Sequence, residues 1–258
     1  MTRKIGFASV KGASGVSTAA LLVAAWSAPQ GPVTLVEADP SGGSLLSWCD
    51  NLRPAGDLYD AAMSREPGGL AAIVQRLGDV AVVPSWGRPF RTAQALMRPR
   101  VPWDLLFDEL AGTVVVDLGR LYPDAPTLGV LNAMDVIVLV SASEPGPVAA
   151  TMEWAGRGGR HAAGDVGVST DRIVMVTNEV VGRRRRVSVT PREMGSLQGP
   201  PYLGHFEHDE TAVELLHRGA SVLHRSLRRS PLVQSAPNIA AALADRADSV
   251  LSTGRGGW

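Results

Sequence analysis

The sequence predicts an α/β protein, one domain with a mostly parallel, twisted β-sheet that is flanked by helices on both faces. Short runs rich in Val, Ile and Leu alternate with Ala- and Leu-rich stretches of helical pattern along most of the 258 residues, and this alternation is typical of parallel sheets. Several runs are apolar throughout, as expected of strands that are buried on both faces. We therefore expect a single domain over residues 1–251 and a flexible C-terminal tail over residues 252–258.

The strands and helices can be placed from these patterns. Strands are predicted over residues 4–10, 33–38, 80–85, 113–118, 135–142, 172–178 and 202–206. Helices are predicted over residues of about 17–27, 44–52, 56–64, 68–77, 102–111, 145–162, 190–198, 209–218 and 231–251. Thr190 and Glu193 form a capping box, and Asp209 precedes a helix that Gly219 can end. The proline-rich segment 84–102 is expected to be irregular.

Composition excludes several classes of protein. The net charge is zero, so there is no global attraction to nucleic acid or to an anionic membrane. Cys49 is the only cysteine, which excludes an intramolecular disulfide framework and fits a reducing compartment. The apolar stretch 19–26 is far shorter than the ~20 residues of a membrane span. We expect a cytoplasmic protein without a membrane span, at a membrane only through a partner.

The turn after the first strand has the composition of a phosphate-binding loop. Residues 11–18 read KGASGVST, and they follow a strand and open a helix. Successive backbone N–H groups at such a turn form a nest for an anion, together with the helix N-terminus. Ser17 occupies the place from which a hydroxyl ligates Mg²⁺ in such loops. Val16, however, stands where these loops carry a lysine.

Polar side chains end three further predicted strands. Glu37 and Asp39 follow the second strand, two residues apart and so expected on one face. Asp117 ends a later apolar strand, where a ligand of Mg²⁺ or of its water is expected, and Asn178 ends another. Ligands of open α/β sheets bind at the carboxyl ends of the strands, so these side chains should converge near the loop. The amide of Asn178 is suited to read the edge of a base.

This ordered set resembles the ParA/MinD class of P-loop ATPases, the SIMIBI class with a deviant Walker A loop that reads KGGxGK[ST]T. The resemblance spans roughly residues 4–245. The DxDPxG segment of the class corresponds to residues 37–42, its Walker B aspartate to Asp117 and its strand-end asparagine to Asn178. The loop positions that correspond are Lys11, Gly12, Ala13, Ser14, Gly15, Val16, Ser17 and Thr18.

The resemblance implies a cofactor, ATP or ADP with Mg²⁺, and a set of roles. The nucleotide would lie on residues 12–18 and contact Asn178, and Mg²⁺ would lie near Ser17, Asp39 and Asp117. Lys11 and Asp39 are implied as catalytic residues, with Lys11 reaching the partner's phosphates across a homodimer. Loops without the second lysine look like those of Tad/Cpa pilus-assembly localisation proteins and of actinobacterial MinD-like proteins. This implies a dimerising switch that recruits or positions a protein partner in an assembly or localisation system.

Val16, Ala13 and, as a milder change, Glu37 depart from the pattern of the class. Loss of a unit charge about 4 Å from a phosphate oxygen removes roughly 4 kcal/mol at an effective dielectric of 20, or about a thousandfold in affinity. The missing lysine would also stabilise charge in the transition state. We therefore predict weak binding and at most a weak ATPase. Two alternatives remain open: a nucleotide-free pseudo-ATPase scaffold, and a slow but genuine ATPase in DNA partitioning.

Three other features were weighed as sites. Four consecutive arginines could contact DNA, but a solvated loop is favoured on a neutral protein; they are Arg183, Arg184, Arg185 and Arg186. His205, His208 and Asp209 match no spacing typical of zinc sites. The C-terminal helix carries Ile239 and Leu243 at helical spacing and lacks a basic polar face. We therefore expect it to pack on the core and not to bind a membrane.

Overall fold

The computed structural model describes residues 2–12, 15–64, 67–85, 89–156, 162–179 and 188–253. Within these ranges the chain forms one eight-stranded sheet in the order β3-β4-β2-β5-β1-β6-β7-β8. The strands are β1 (Arg3–Ser9), β2 (Val33–Glu37), β3 (Gln75–Leu77), β4 (Val80–Val83), β5 (Thr113–Arg120), β6 (Val136–Ala142), β7 (Ile173–Asn178) and β8 (Tyr202–Phe206). Every neighbouring pair is parallel except β3 and β4.

Helices cover both faces of the sheet, as predicted. They are α1 (Val16–Ser27), α2 (Leu45–Trp48), α3 (Leu58–Met63), α4 (Pro89–Leu96), α5 (Trp103–Asp108), α6 (Leu128–Leu131), α7 (Pro145–Ala155), α8 (Ala162–Asp165), α9 (Pro191–Ser196), α10 (Glu210–His217) and α11 (Pro231–Thr253). One apolar cluster packs α1, α10 and α11 against one face of the sheet. A second cluster packs the six helices from α3 through α8 against the other face. Along β5, Val115 lies in the first cluster, and Val114 and Val116 lie in the second.

The predicted strands agree with the structure to within two residues at either end, but some helical segments do not agree. The helix predicted over 145–162 ends at Ala155, where Gly156 has a φ of +122°. The helix predicted over 68–77 is wrong, because Ala71–Ile73 form a single 3₁₀ turn and β3 follows it. The segment 84–102, predicted to be irregular, contains α4. Proline is tolerated in the first turn of a helix, and Ala95 and Leu96 of α4 are buried against the sheet.

A change of register between β1 and β5 shapes the edge of the sheet where these strands end. Phe7 lies opposite Asp117, but Ser9 lies opposite Arg120, so β5 contains one additional residue. Gly119 has a φ of +64°, and the Leu121 N–H donates to the Ser9 carbonyl over 2.7 Å. The irregularity therefore places Arg120 beside the last residue of β1, directly before the glycine-rich loop.

The C-terminal helix packs on the core, as predicted. Ile239 and Leu243 are buried in the apolar cluster that contains α1. An ion pair between Arg3 and Asp248, 2.5 Å long, ties α11 to β1. Within the ranges that the structure describes, no helix has the length and apolar character needed to cross a membrane.

Candidate functional site

The glycine-rich loop joins β1 to α1, and Gly15 is its last residue before the helix. Gly15 has a φ of +73° and accepts a hydrogen bond from the Ala19 N–H over 2.9 Å. A Cβ on Gly15 would lie 2.3 Å from Nδ2 of Asn178. Glycine is therefore required here by backbone conformation and by the close approach of Asn178. The first N–H groups of a helix have no partner within the helix, so they are available to a ligand.

Val16 is a core residue as well as a cavity residue. Its side chain is 8% exposed and belongs to the apolar cluster of α1, α10 and α11. It also forms part of the cavity wall beside Ser17. The position that would carry a lysine in the ParA/MinD loop is thus used for packing, and Val16 contributes no charge to a ligand.

A cavity of about 410 Å³ lies at the carboxyl ends of β1, β2 and β5; we call it the central cavity. It brings the loop together with the segment that follows β2 and with the end of β5. Its lining residues are Ser9, Gly12, Gly15, Val16, Ser17, Thr18, Asp39, Ser41, Ser44, Trp48, Gly119 and Arg120. The prediction that these strand ends converge on the loop agrees with this arrangement.

Asp117 lies buried beneath the central cavity, next to Ser17. Burial and, to a smaller extent, the negative charge of Asp39 raise the pKa of Asp117 to about 6. Hydrogen bonds from the Ser17 hydroxyl and from the Gly119 N–H, the latter over 3.0 Å, oppose this rise in pKa. A buried carboxylate beside a second carboxylate favours a bound cation, because a cation would offset both charges.

Asp39 is half-buried at the start of the segment that follows β2. Its Oδ1 accepts a hydrogen bond from the Ser41 N–H over 2.7 Å. A Cβ on Gly119 would lie 2.3 Å from Cγ of Asp39, so the carboxyl group packs directly on this glycine. Positive φ and close approach together require glycine at position 119.

Ser17, Asp39 and Asp117 have the donor chemistry that Mg²⁺ requires. They offer one hydroxyl and two carboxylates, and Mg²⁺ in nucleotide sites keeps several waters and phosphate oxygens as its other ligands. In the part of the chain that the structure describes, no group of three or more His, Cys, Asp or Glu side chains is arranged to hold a metal ion. The set therefore fits a magnesium ion that a nucleotide shares, and it does not form a cage made of protein ligands alone.

Glu37 holds the segment that follows β2 and does not line the central cavity. Its Oε1 accepts hydrogen bonds from the N–H groups of Ser44 (2.6 Å) and Leu45 (2.9 Å), and its Oε2 accepts one from Ser85 (2.8 Å). Burial raises the pKa of Glu37 to about 7, although these amide hydrogen bonds favour the charged form. A Cβ on Gly43 would lie 2.2 Å from Oε2 of Glu37, so the backbone passes close to the carboxylate.

A second cavity, of about 330 Å³, shares Gly15 and Thr18 with the central cavity; we call it the lateral cavity. Asn178 lines it, at the position that the sequence predicted for a base-reading side chain. Its lining residues are Gly15, Thr18, Asn178, Glu179, Glu207, His208, Asp209, Glu210, Val213 and Leu232. Sequence reasoning missed Glu179 and Glu207, although both directly follow strands and the strand-end rule could have indicated them.

His205 and Asp209, two of the three residues weighed as metal ligands, have structural partners. Nδ1 of His205 lies 2.9 Å from the Thr177 hydroxyl, and Asp209 caps α10 by accepting a hydrogen bond from the Ala212 N–H over 3.0 Å. These contacts explain His205 and Asp209 without a metal ion.

Lys11 is exposed and lies on a third cavity, not on the central one. This outer cavity, of about 440 Å³, is lined by Val10, Lys11, Arg120, Leu121, Tyr122, Pro123, Ala150, Glu153, Trp154 and Asp165. The site thus separates Lys11 from Ser17 and Asp39. Ala13, Ser14 and the four arginines at 183–186 lie outside the described residues.

The topology and the loop define a P-loop NTPase-like α/β protein, and comparisons with known proteins narrow this class. No protein-family model and no curated protein matches the sequence. A ParA family ATPase from Chlorobium tepidum TLS is 22% identical with a TM-score of 0.69, over 94% of this chain and 98% of that chain. The septum site-determining protein MinD from Pyrococcus horikoshii OT3, complexed with Mg-ADP, is 16% identical with a TM-score of 0.68, over 97% and 99%.

A chain of the MinC–MinD cell division protein complex from Aquifex aeolicus is also similar. It is 14% identical with a TM-score of 0.65, over 94% of this chain and 96% of that chain. The chain therefore has the fold of the ParA and MinD ATPases, which confirms at the level of the fold the resemblance that the motifs indicated.

Proposed function

We propose that this chain is a ParA/MinD-like nucleotide switch that binds Mg-ADP or Mg-ATP weakly and hydrolyses ATP slowly at most. The observation that carries the proposal is the contact between Asp117 and Ser17 beneath the central cavity, with Asp39 close enough to raise the pKa of Asp117. Two carboxylates and a hydroxyl beside a phosphate-type loop are the protein part of a magnesium–nucleotide site. The Mg-ADP complex of the similar MinD supports this choice of ligand.

In the proposed complex, the nucleotide would occupy two cavities. The phosphates would lie in the central cavity on the N–H groups that open α1, and the base would lie in the lateral cavity beside Asn178. Ser17, Asp39 and Asp117 would hold Mg²⁺, directly or through water. When bound, the ion supplies positive charge to the phosphate oxygens. Hydrolysis is expected to be slow because Val16 provides no charge for the transition state.

Lys11 and the fold support a proposed role in dimerisation. Lys11 is exposed outside the central cavity, so it is better placed to reach a second chain than the phosphates of its own site. We propose a nucleotide-dependent homodimer in the cytoplasm that recruits a protein partner. The complex of MinC with MinD provides an example of a partner for a protein of this fold.

Isothermal titration with Mg-ADP and Mg-ATP up to millimolar concentration tests the nucleotide site. We expect saturable binding and a loss of at least about tenfold in Asp117→Asn, because a charged ligand of Mg²⁺ is removed. The buried carboxylate of Asp117 is costly in the free protein, so this variant should fold normally. Asp50→Asn, which removes an exposed carboxylate, should bind like the parent. No binding at millimolar nucleotide, or equal binding by Asp117→Asn, would contradict the proposal.

Light scattering tests the dimer. The expected mass is that of one 27.1 kDa chain without nucleotide and of two chains with Mg-ATP. Lys11→Ala should bind nucleotide and remain monomeric. A parent chain that binds Mg-ATP and remains monomeric would refute the dimer and leave the nucleotide site standing.

The packing of Val16 favours a second candidate, a nucleotide-free scaffold that has kept only the fold. A buried valine in the apolar cluster is compatible with a loop that no longer needs a charge. The isothermal titration with nucleotide separates these two candidates. A third candidate, a slow ATPase in DNA partitioning, is tested by measuring phosphate release. Turnover that disappears in Asp39→Ala would show a genuine ATPase and would exclude the nucleotide-free scaffold.

A further inference from the structure

Arg120 reaches the glycine-rich loop from the neighbouring strand. It is the last residue of β5, and the irregular register places it opposite Ser9. A Cβ on Gly12 would lie 3.2 Å from Cδ and 3.8 Å from Nε of Arg120. The side chain of Arg120 therefore packs beside the loop at Gly12. In the sequence, Arg120 lies far from this loop and belongs to no phosphate-loop motif.

The charges around the central cavity indicate what the Arg120 side chain could bind. Among the described residues that line the cavity, Arg120 is the only lysine or arginine. None of the ion pairs found between described residues involves Arg120. An exposed cation thus borders a cavity whose loop carries Val16 in place of a lysine.

We propose that Arg120 supplies the positive charge for the nucleotide phosphates that Val16 does not supply. This inference rests on the proposed nucleotide site. A guanidinium group carries five donors in a planar fork that matches two phosphate oxygens, and it remains charged at all physiological pH values. The atoms nearest to a Cβ on Gly12 all belong to the Arg120 side chain. Arg120 would therefore bind the phosphates from the β5 side of the loop.

A double-mutant cycle tests this assignment. Mg-ADP affinity is measured by titration for the parent, Arg120→Ala, Val16→Lys and Val16→Lys/Arg120→Ala. We expect Arg120→Ala to weaken binding by about tenfold or more, the value of a charge-assisted hydrogen bond. The double variant should bind within about threefold of Val16→Lys, because the restored lysine makes the arginine redundant. Arg120→Lys should recover part of the loss.

Two controls separate phosphate binding from support of the loop. Arg98→Ala removes an exposed arginine that lines none of the three cavities, and it should leave the affinity unchanged. Adenosine has no phosphate, so its affinity should be equal in Arg120→Ala and the parent. A parallel loss for adenosine would show that Arg120 only supports the loop, and it would overturn the assignment.

The outcomes distinguish this inference from the proposed function. Parent-like Mg-ADP binding by Arg120→Ala would overturn the role of Arg120 and leave the nucleotide site intact. Absence of binding by the parent together with tight binding by Val16→Lys would overturn both, because Arg120 would then fail to replace the lysine. Absence of binding by every variant would likewise overturn both.

Discussion

The central and lateral cavities share Gly15 and Thr18, yet they are built from different chemistry. Among the described residues, the central cavity sets the carboxylates of Asp39 and Asp117 against one cationic side chain, Arg120, and Val16 adds no charge. The lateral cavity places the amide of Asn178 against the backbone of the loop, and most of its other polar lining is acidic, with Glu179, Glu207, Asp209 and Glu210. In the proposed site, valine at position 16 would therefore weaken the binding of the phosphates and not that of the base. Affinity in this chain should depend less on phosphate charge than in a loop with both lysines.

Of the variants considered, Val16→Lys should change nucleotide affinity most, and it should do so through the central cavity alone. Restoring a charge about 4 Å from phosphate oxygens is worth roughly 4 kcal/mol at an effective dielectric of 20, or up to about a thousandfold in Mg-ADP affinity. Adenosine affinity should not change, because the lateral cavity is unaltered. Titration with both ligands measures the difference. Val10→Lys, which adds the same charge at the outer cavity, is the control, and an equal gain there would contradict the prediction.

His217 links the wall of the central cavity to pH. Its ring stacks on Trp48 with centroids 3.7 Å apart, and burial lowers the pKa of His217 from 6.5 to about 4. Between these values the unfolded chain binds a proton that the folded chain does not. This contribution to stability is complete above pH 6.5 and is lost as the pH falls towards 4, by up to about 3 kcal/mol.

Urea unfolding at pH 7.5 and pH 4.5 measures this effect. His217→Phe keeps an aromatic ring against Trp48 and cannot titrate, so its free energy of unfolding should fall less between the two pH values. Other groups titrate in both proteins, and they cancel in the comparison. An equal fall in the parent and in His217→Phe would exclude His217 as the cause.

Gly15→Ala should damage both cavities at once. The substitution forces alanine to a φ of +73° and drives its Cβ to 2.3 Å from Nδ2 of Asn178. Gly167→Ala is a matched control, because Gly167 has a φ of +75° with no atom within 4 Å of a Cβ. Backbone strain alone costs about 1–3 kcal/mol of unfolding free energy. Gly15→Ala should cost more than Gly167→Ala and should weaken adenosine and Mg-ADP alike; equal costs would show that the contact with Asn178 is unimportant.

Asn178→Ala should change nucleotide affinity least. This variant tests whether the base binds in the lateral cavity. A neutral hydrogen bond contributes about 0.5–1.5 kcal/mol, so adenosine and Mg-ADP should each lose up to about tenfold in affinity. Val213→Ala trims an apolar residue that lines the lateral cavity without an amide, and it should weaken both ligands less. A loss confined to Mg-ADP would place the base elsewhere.

The sequence predicted the strands and the strand-end side chains because both follow from burial. Strands covered on two faces must be apolar along their length, and this pattern ends where Asp117 and Asn178 begin the site. The three-residue strand β3 carries Gln75 and Arg76 and has no apolar pattern to read. It pairs with β4 in antiparallel fashion across the two-residue turn Gly78–Asp79, and this short hairpin signal was overlooked in favour of a helix.

The structural roles of Glu37 and Arg120 could not be predicted from the sequence, for a different reason. Glu37 binds three amides only because the chain returns past it at Gly43 and Ser85. Arg120 reaches the loop only because β5 gains a residue near Gly119. Both depend on the path of the backbone in three dimensions. Gly119, two residues after Asp117, was the one local sign of such a change.

Helix α10 has a consequence for how the two cavities respond to a ligand. Glu210 at its beginning lines the lateral cavity, and His217 at its end stacks on Trp48, which lines the central cavity. The Cys49 thiol also donates to the His217 carbonyl over 2.6 Å. Helix α10 thus lines the lateral cavity and packs against the wall of the central cavity. Occupancy of either cavity would bias the position of the same helix, so base and phosphate binding should be energetically coupled.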